Sequence, residues 1–152
     1  MKKKDFLANT IVTFFGVGSI KFASGTWASL VSGALLFLVW PSLEIEWKGI
    51  ATLLLFFIGW FYSDYVEKRD GSHDPSMIVI DEVVGMMITS ILLPQIWWQW
   101  LIAFLAFRIC DILKIWPASY FDKRKGGFSV MFDDVLMAIL ALFLTHLIIS
   151  QI

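Results

Sequence analysis

Five apolar runs, each broken off by a polar cluster, set what this chain can fold into. They cover 28–40, 49–63, 83–93, 97–107 and 135–149. The composition leaves no way to hide them in water: 59% of residues are hydrophobic and only 16% charged, against about 25% charged in soluble domains. The solvent that accommodates such runs is lipid. The expected architecture is an all-α, polytopic membrane bundle of about four to five spans, preceded by an amphipathic or re-entrant amino-terminal segment. Its 152 residues suffice for one domain, 1–152. Each run is shorter than the roughly 20 residues a crossing helix needs. Extending the runs into their polar flanks cures this and puts those polar residues at the membrane edge. The weakest run is 28–40, which stops at Pro41 and could be tilted or re-entrant. Pro94 and Trp97-Trp98-Gln99-Trp100 read as a tight hairpin in an aromatic belt.

Charge placement gives the topology. If all five runs cross from a cytoplasmic amino terminus, eleven of the twelve Lys and Arg residues fall on the cytoplasmic side, and only Lys48 lies outside. This is the positive-inside pattern. The acids share the bias, with only Glu44 and Glu46 outside, although the rule does not require it. The segment after Met1-Lys2-Lys3-Lys4 has no clean apolar core followed by a small-residue cleavage site, so it is expected to stay in the mature protein. A net charge of −1 with no basic stripe argues against nucleic acid. Cys110 is the single cysteine, which excludes an internal disulfide and any Cys/His zinc spacing.

Four clusters carry chemistry. Gly16 to Thr26 is rich in small residues, so its backbone N–H groups could meet an anion, or Ser24 or Thr26 could simply cap the next helix. His73-Asp74-Pro75 leads to Asp81-Glu82 at a helix start. The helix dipole explains one acid there more comfortably than two. Arg108, Asp111 and Lys114 recur every three residues. They form either a ladder of ion pairs or, with positive charge left over beside lipid, a site for an anion such as phosphate. Lys123-Arg124-Lys125 reads as a topology signal or an anionic-lipid contact. Asp133-Asp134 then precedes the last apolar run as Asp81-Glu82 precedes the third. Two acidic pairs at one depth suit a hard cation such as Mg²⁺, which shares phosphate oxygens.

Taken together, Ser24-Gly25-Thr26, His73-Asp74-Pro75 through Asp81-Glu82 to Gly85, Phe107-Arg108…Asp111…Lys114…Pro117 and Asp122…Gly126-Gly127…Asp133-Asp134 resemble the phosphatidylglycerophosphatase A family in order and spacing. Ser24, Ala28, Ile115 and Ser129 depart from the family's usual residues, at positions read here as backbone turns. The resemblance implies Mg²⁺-dependent removal of the terminal phosphate of phosphatidylglycerophosphate, a phospholipid substrate met at the cytoplasmic face of a bacterial inner membrane. Asp81, Glu82, Asp133 and Asp134 would hold Mg²⁺. Arg108 and Lys114 would neutralise phosphate oxygens, with hydrogen bonds from Gly25 and Thr26. Asp111 would orient the cations, bind metal or accept a proton. His73 and Asp74 are candidates for protonating the departing alcohol. A homo-oligomer stays compatible with the sequence.

Other chemistries fit less well. Cys110 has Trp116 six positions on, not the arginine of a phosphocysteine mechanism. The Asp-Gly-x₂-Ala-Arg signature of CDP-alcohol phosphotransferases is missing at Asp70-Gly71. A small ion or proton transporter would carry its charges near mid-membrane. A non-catalytic assembly subunit would have no use for paired acids beside Arg108 and Lys114.

Overall fold

The computed structural model describes residues 3–72 and 75–152. Its regular structure there is helical throughout: α1 (Lys3–Val12), α2 (Ser24–Val39), α3 (Ile45–Asp70), α4 (Ile80–Thr89), α5 (Trp97–Leu113), α6 (Ala118–Asp122) and α7 (Gly127–Ile149), with 3₁₀ turns before and after α2.

Two of the helices, α2 and α3, are packed inside out relative to a soluble bundle, around a core that α4, α5 and α7 fill with Val83, Met86, Phe107 and Met131. The buried face of α2 is made of Gly25, Ala28, Ser29 and Ser32, while Leu30, Leu35 and Leu38 point outward. The same inversion runs along α3, where Thr52, Gly59 and Ser63 are buried and Leu53, Phe57 and Phe61 exposed. Small residues inside allow close helix approach, and large apolar residues outside need a lipid solvent. Three segments are long and apolar enough to cross a bilayer: Ser24–Ser42, Ile45–Asp70 and Gly127–Ile149. The run that looked too short for a span, 28–40, is therefore extended on both sides.

The run 83–93 behaves differently from the expectation of a crossing helix. It yields only the 10-residue α4, a rise of about 15 Å against a hydrocarbon layer of about 30 Å. α4 lies at the centre of the bundle, touching α2, α3, α5 and α7. Its far end meets the start of α3, where the buried Lys48 ammonium donates to the Ile91 carbonyl at 3.2 Å. A cation just beyond a helix carboxyl end is favourable, and it also satisfies a carbonyl of the turn that follows α4. The chain then turns through Pro94, whose carbonyl accepts from Trp100 Nε1 at 2.8 Å. The 17-residue α5 runs back.

At the other end, α1 packs on α3 through Tyr65 donating to Asp5 and Arg69 donating to Asn9. α7 enters against α3 at Gly127, where any side chain would strike the backbone of Asp64 and Trp60. Gly126, at φ +112°, donates its N–H to Glu67 Oε2 at 2.8 Å and fixes that entry. Ala28 and Ser129, read from sequence as turn positions, are buried residues of α2 and α7.

Candidate active site

The starts of α2 and α4, the end of α5 and an inner turn of α7 converge on one cleft of about 320 Å³. Asp81 and Glu82 reach it from the first turn of α4, Asp111 from the last turn of α5, and Asp134 from α7. Lys114, Ser24 and Ser76 complete its polar lining. Asp81, Asp111 and Asp134 are more than nine-tenths buried. Oxygens of Asp81, Glu82 and Asp134 all lie within 4.8 Å of one another. Among the described residues, Glu82 Oε2 and Asp134 Oδ2 are buried without a hydrogen-bond partner.

The two acidic pairs are not equivalent. Asp81 and Glu82 sit in the first turn of α4. α7, however, begins at Gly127, well upstream of its apolar run, so Asp133 and Asp134 fall about two turns inside the helix. Adjacent helical residues diverge by about 100°. Asp134 faces the α4 acids, whereas Asp133 turns to Lys114, which it meets at 2.6 Å.

The basic residues are also held differently. Arg108 Nη1 pairs with Asp111 at 2.8 Å, lies 3.9 Å from Glu82, and donates to Ser29 Oγ at 3.3 Å. Its Nε is buried with no partner among the described residues. Lys114 lies one residue past α5 in the left-handed region, at φ 35°. That conformation is costly for a residue with a side chain. It ends the helical spacing, so Lys114 does not extend the Arg108–Asp111 ladder and instead bridges Asp122 at 2.7 Å and Asp133 at 2.6 Å. Burial opposes its charge. The facing carboxylates Asp133 and Asp134 and the hydrogen bonds from Asp122 and Asp133 outweigh that and hold its pKa above the usual lysine value.

This reverses one expectation. Along the sequence the Arg108–Lys114 segment carries surplus positive charge, which favours an anion. In the folded chain Asp81, Glu82, Asp111, Asp122, Asp133 and Asp134 surround Arg108 and Lys114 among the described residues. The balance is acidic, so a phosphate could enter only alongside added cations.

Gly25 lies where α2 passes closest to the site. A side chain there would run into Glu82 Oε1 and come within 3.4 Å of Arg108 Nη1. Thr26 is the next residue of α2, half-buried and outside the cleft lining. Neither Ser24 nor Thr26 caps α2, contrary to expectation. The cap position is Ala23, without a side-chain bond, and the Ser24 hydroxyl donates to the Ser76 carbonyl at 2.7 Å. His73 and Asp74 lie outside the described residues. Ser29 and Ser76 were not singled out from sequence. Ser29 carries no charge or motif, and only its position one turn beyond Gly25 on the small-residue face of α2 could have pointed to it.

The profile of the family described as Phosphatidylglycerophosphatase A matches residues 10–149. The chain belongs to that family. It is similar to phosphatidylglycerophosphatase A of Haemophilus influenzae, 40% identical over 91% of this chain and 88% of the relative. Phosphatidylglycerophosphatase A of Escherichia coli K12 is 35% identical over 84% of this chain and 74% of its own length. A protein of Bacteroides thetaiotaomicron, named as a candidate phosphatidylinositol-3-phosphatase, is 36% identical over 91% of both chains. No solved structure matches the chain significantly.

Proposed function

We propose that the protein hydrolyses the terminal phosphomonoester of phosphatidylglycerophosphate to phosphatidylglycerol and phosphate, using Mg²⁺ at Asp81, Glu82 and Asp134. Family membership and the names of two relatives support the reaction. The observation that carries the cation is the meeting of three carboxylates from two helices within 4.8 Å. Two of them, Glu82 and Asp134, have buried oxygens lacking any hydrogen-bond donor among the described residues. Oxygen-only donors in a compact acidic cleft fit a hard divalent cation. When bound, Mg²⁺ would offset the carboxylate excess and draw charge from the phosphoryl oxygens.

The chain's own groups then divide the remaining work. Lys114 lines the cleft with two of its three N–H donors committed to Asp122 and Asp133, which leaves the third for a phosphoryl oxygen. Arg108 offers its unpartnered Nε, while Asp111 and Ser29 fix the plane of its guanidinium. Asp133 acts on Lys114 rather than on the cation. Gly25 keeps Glu82 and Arg108 close by having no side chain. His73 and Asp74 remain the proposed proton donors to the departing alcohol. The distribution of basic residues supports a cleft facing the cytoplasm across the inner membrane of a bacterium.

The test is phosphate release by purified protein from phosphatidylglycerophosphate, phosphatidylinositol 3-phosphate, phosphatidic acid and a soluble phosphate ester, with and without Mg²⁺. Release from phosphatidylglycerophosphate that needs Mg²⁺ is expected. The Bacteroides relative makes the inositol lipid the informative competitor. Release from no substrate would favour a transporter or an assembly subunit.

A further inference from the structure

An apolar groove of about 440 Å³ runs between α2 and α5. Two contacts between these helices cross it. At one end Arg108 donates to Ser29, and at the other the Phe37 and Trp100 rings meet edge to face at 5.7 Å. Ser29 to Phe37 and Arg108 to Trp100 are both eight residues, a rise of about 12 Å on each antiparallel helix. Between the two contacts, Gly33 and Ala34 leave the space that larger side chains would fill, and Leu101 and Phe104 form the opposite wall. Ser29 is the one hydroxyl in the lining, and it is bonded to the same guanidinium that pairs with Glu82 and Asp111 in the cleft. Arg108 therefore stands between an apolar groove and an acidic cleft.

We propose that this groove takes an acyl chain of the lipid whose phosphate occupies the cleft, so that substrate enters sideways from the bilayer between α2 and α5. The inference rests on the phosphatase reading. The polarity sequence along the groove, hydrocarbon then Arg108 then carboxylates, is that of a phospholipid from tail to headgroup.

The surroundings of the cleft agree. Ile112 in its lining is 71% exposed, and Phe22 and Trp116, two residues along the chain from the lining residues Ser24 and Lys114, are 82% and 80% exposed. A cleft flanked by exposed apolar residues is open to lipid. A second apolar groove, about 190 Å³ and lined by Leu53, Phe56 and Phe132 among others, includes none of Arg108's partners. It serves as an internal control.

The test uses the intact protein in phosphatidylcholine vesicles and a non-hydrolysable phosphonate analogue of phosphatidylglycerophosphate with a diazirine in one acyl chain. Labelling is expected to concentrate on Leu30, Ala34, Leu101 and Phe104, and to spare Leu53 and Phe56. Ala34 is exposed, so Ala34→Trp can fill the groove without disturbing the core. This variant should lose the labelling and raise KM for the long-chain substrate about tenfold, with kcat and the KM for a dihexanoyl substrate unchanged. Even labelling of all lipid-facing helices would overturn the proposal. So would equal losses for long and short chains, or an Ala34→Cys variant that cross-links readily to a second copy. Groove labelling without phosphate release from any lipid would keep the groove and reject the phosphatase reading; release with even labelling would do the opposite.

Discussion

Asp81-Glu82 and Asp133-Asp134 look alike in the sequence, yet the fold uses them differently. The first pair opens α4 and both acids reach the cleft, whereas the second lies two turns inside α7 and splits. Asp134 joins the α4 carboxylates and Asp133 anchors Lys114. What separates them is where each helix begins. First-turn residues have no preceding turn to shield them, so both side chains can bend toward one point. Residues within a helix are held to divergent directions.

Substitutions can break this asymmetry. Asp134→Asn removes an oxygen donor from the cation cluster and should lower phosphate release by at least about 10³-fold, with an unchanged helical circular-dichroism spectrum. Gly25→Ala should cost about 10²-fold, because the new methyl displaces Glu82 and crowds Arg108. Partial recovery in a Gly25→Ala/Glu82→Asp double variant, where the shorter acid makes room, would tie the loss to that contact. Asp133→Asn should be milder. It removes one charge-assisted bond from Lys114 but leaves Asp122, so release should fall about tenfold and thermal stability by about 1–3 kcal/mol. Its effect should be non-additive with Lys114→Gln, whereas additive losses would mean that Asp133 acts elsewhere. Ser29→Ala should have the smallest effect, about threefold to tenfold, since Asp111 still holds Arg108. An effect as large as that of Asp134→Asn would place Ser29 in contact with substrate.

Much of the fold could be read from the sequence because lipid imposes simple rules. Long apolar runs had to become helices, because lipid leaves backbone polar groups no other partner. Three things could not be read. Run 83–93 looks like its neighbours, but its helix stops at Thr89 and reaches the far side by starting deep in the bundle, a property of packing rather than composition. Gly126-Gly127 carries no apolar signal, so the early start of α7, set by Glu67 and the α3 backbone, was invisible. Lys114 has three-residue spacing to Asp111, which predicts a helical ladder until the left-handed turn at Lys114 redirects it. At the site, residue types alone named every carboxylate that lines the cleft. The positive surplus along residues 108–114 does not carry over to the cleft, because sequence counts neighbours along the chain and the cleft counts neighbours in space.

The central claim is that Asp81, Glu82 and Asp134 form one cation site from which Asp133 stands apart. Calorimetric titration of the purified protein with Mg²⁺ tests it most directly. Binding should persist in Asp133→Asn and vanish in Asp134→Asn. Loss of binding in Asp133→Asn with retention in Asp134→Asn, or no Mg²⁺ binding by the unaltered protein, would contradict it.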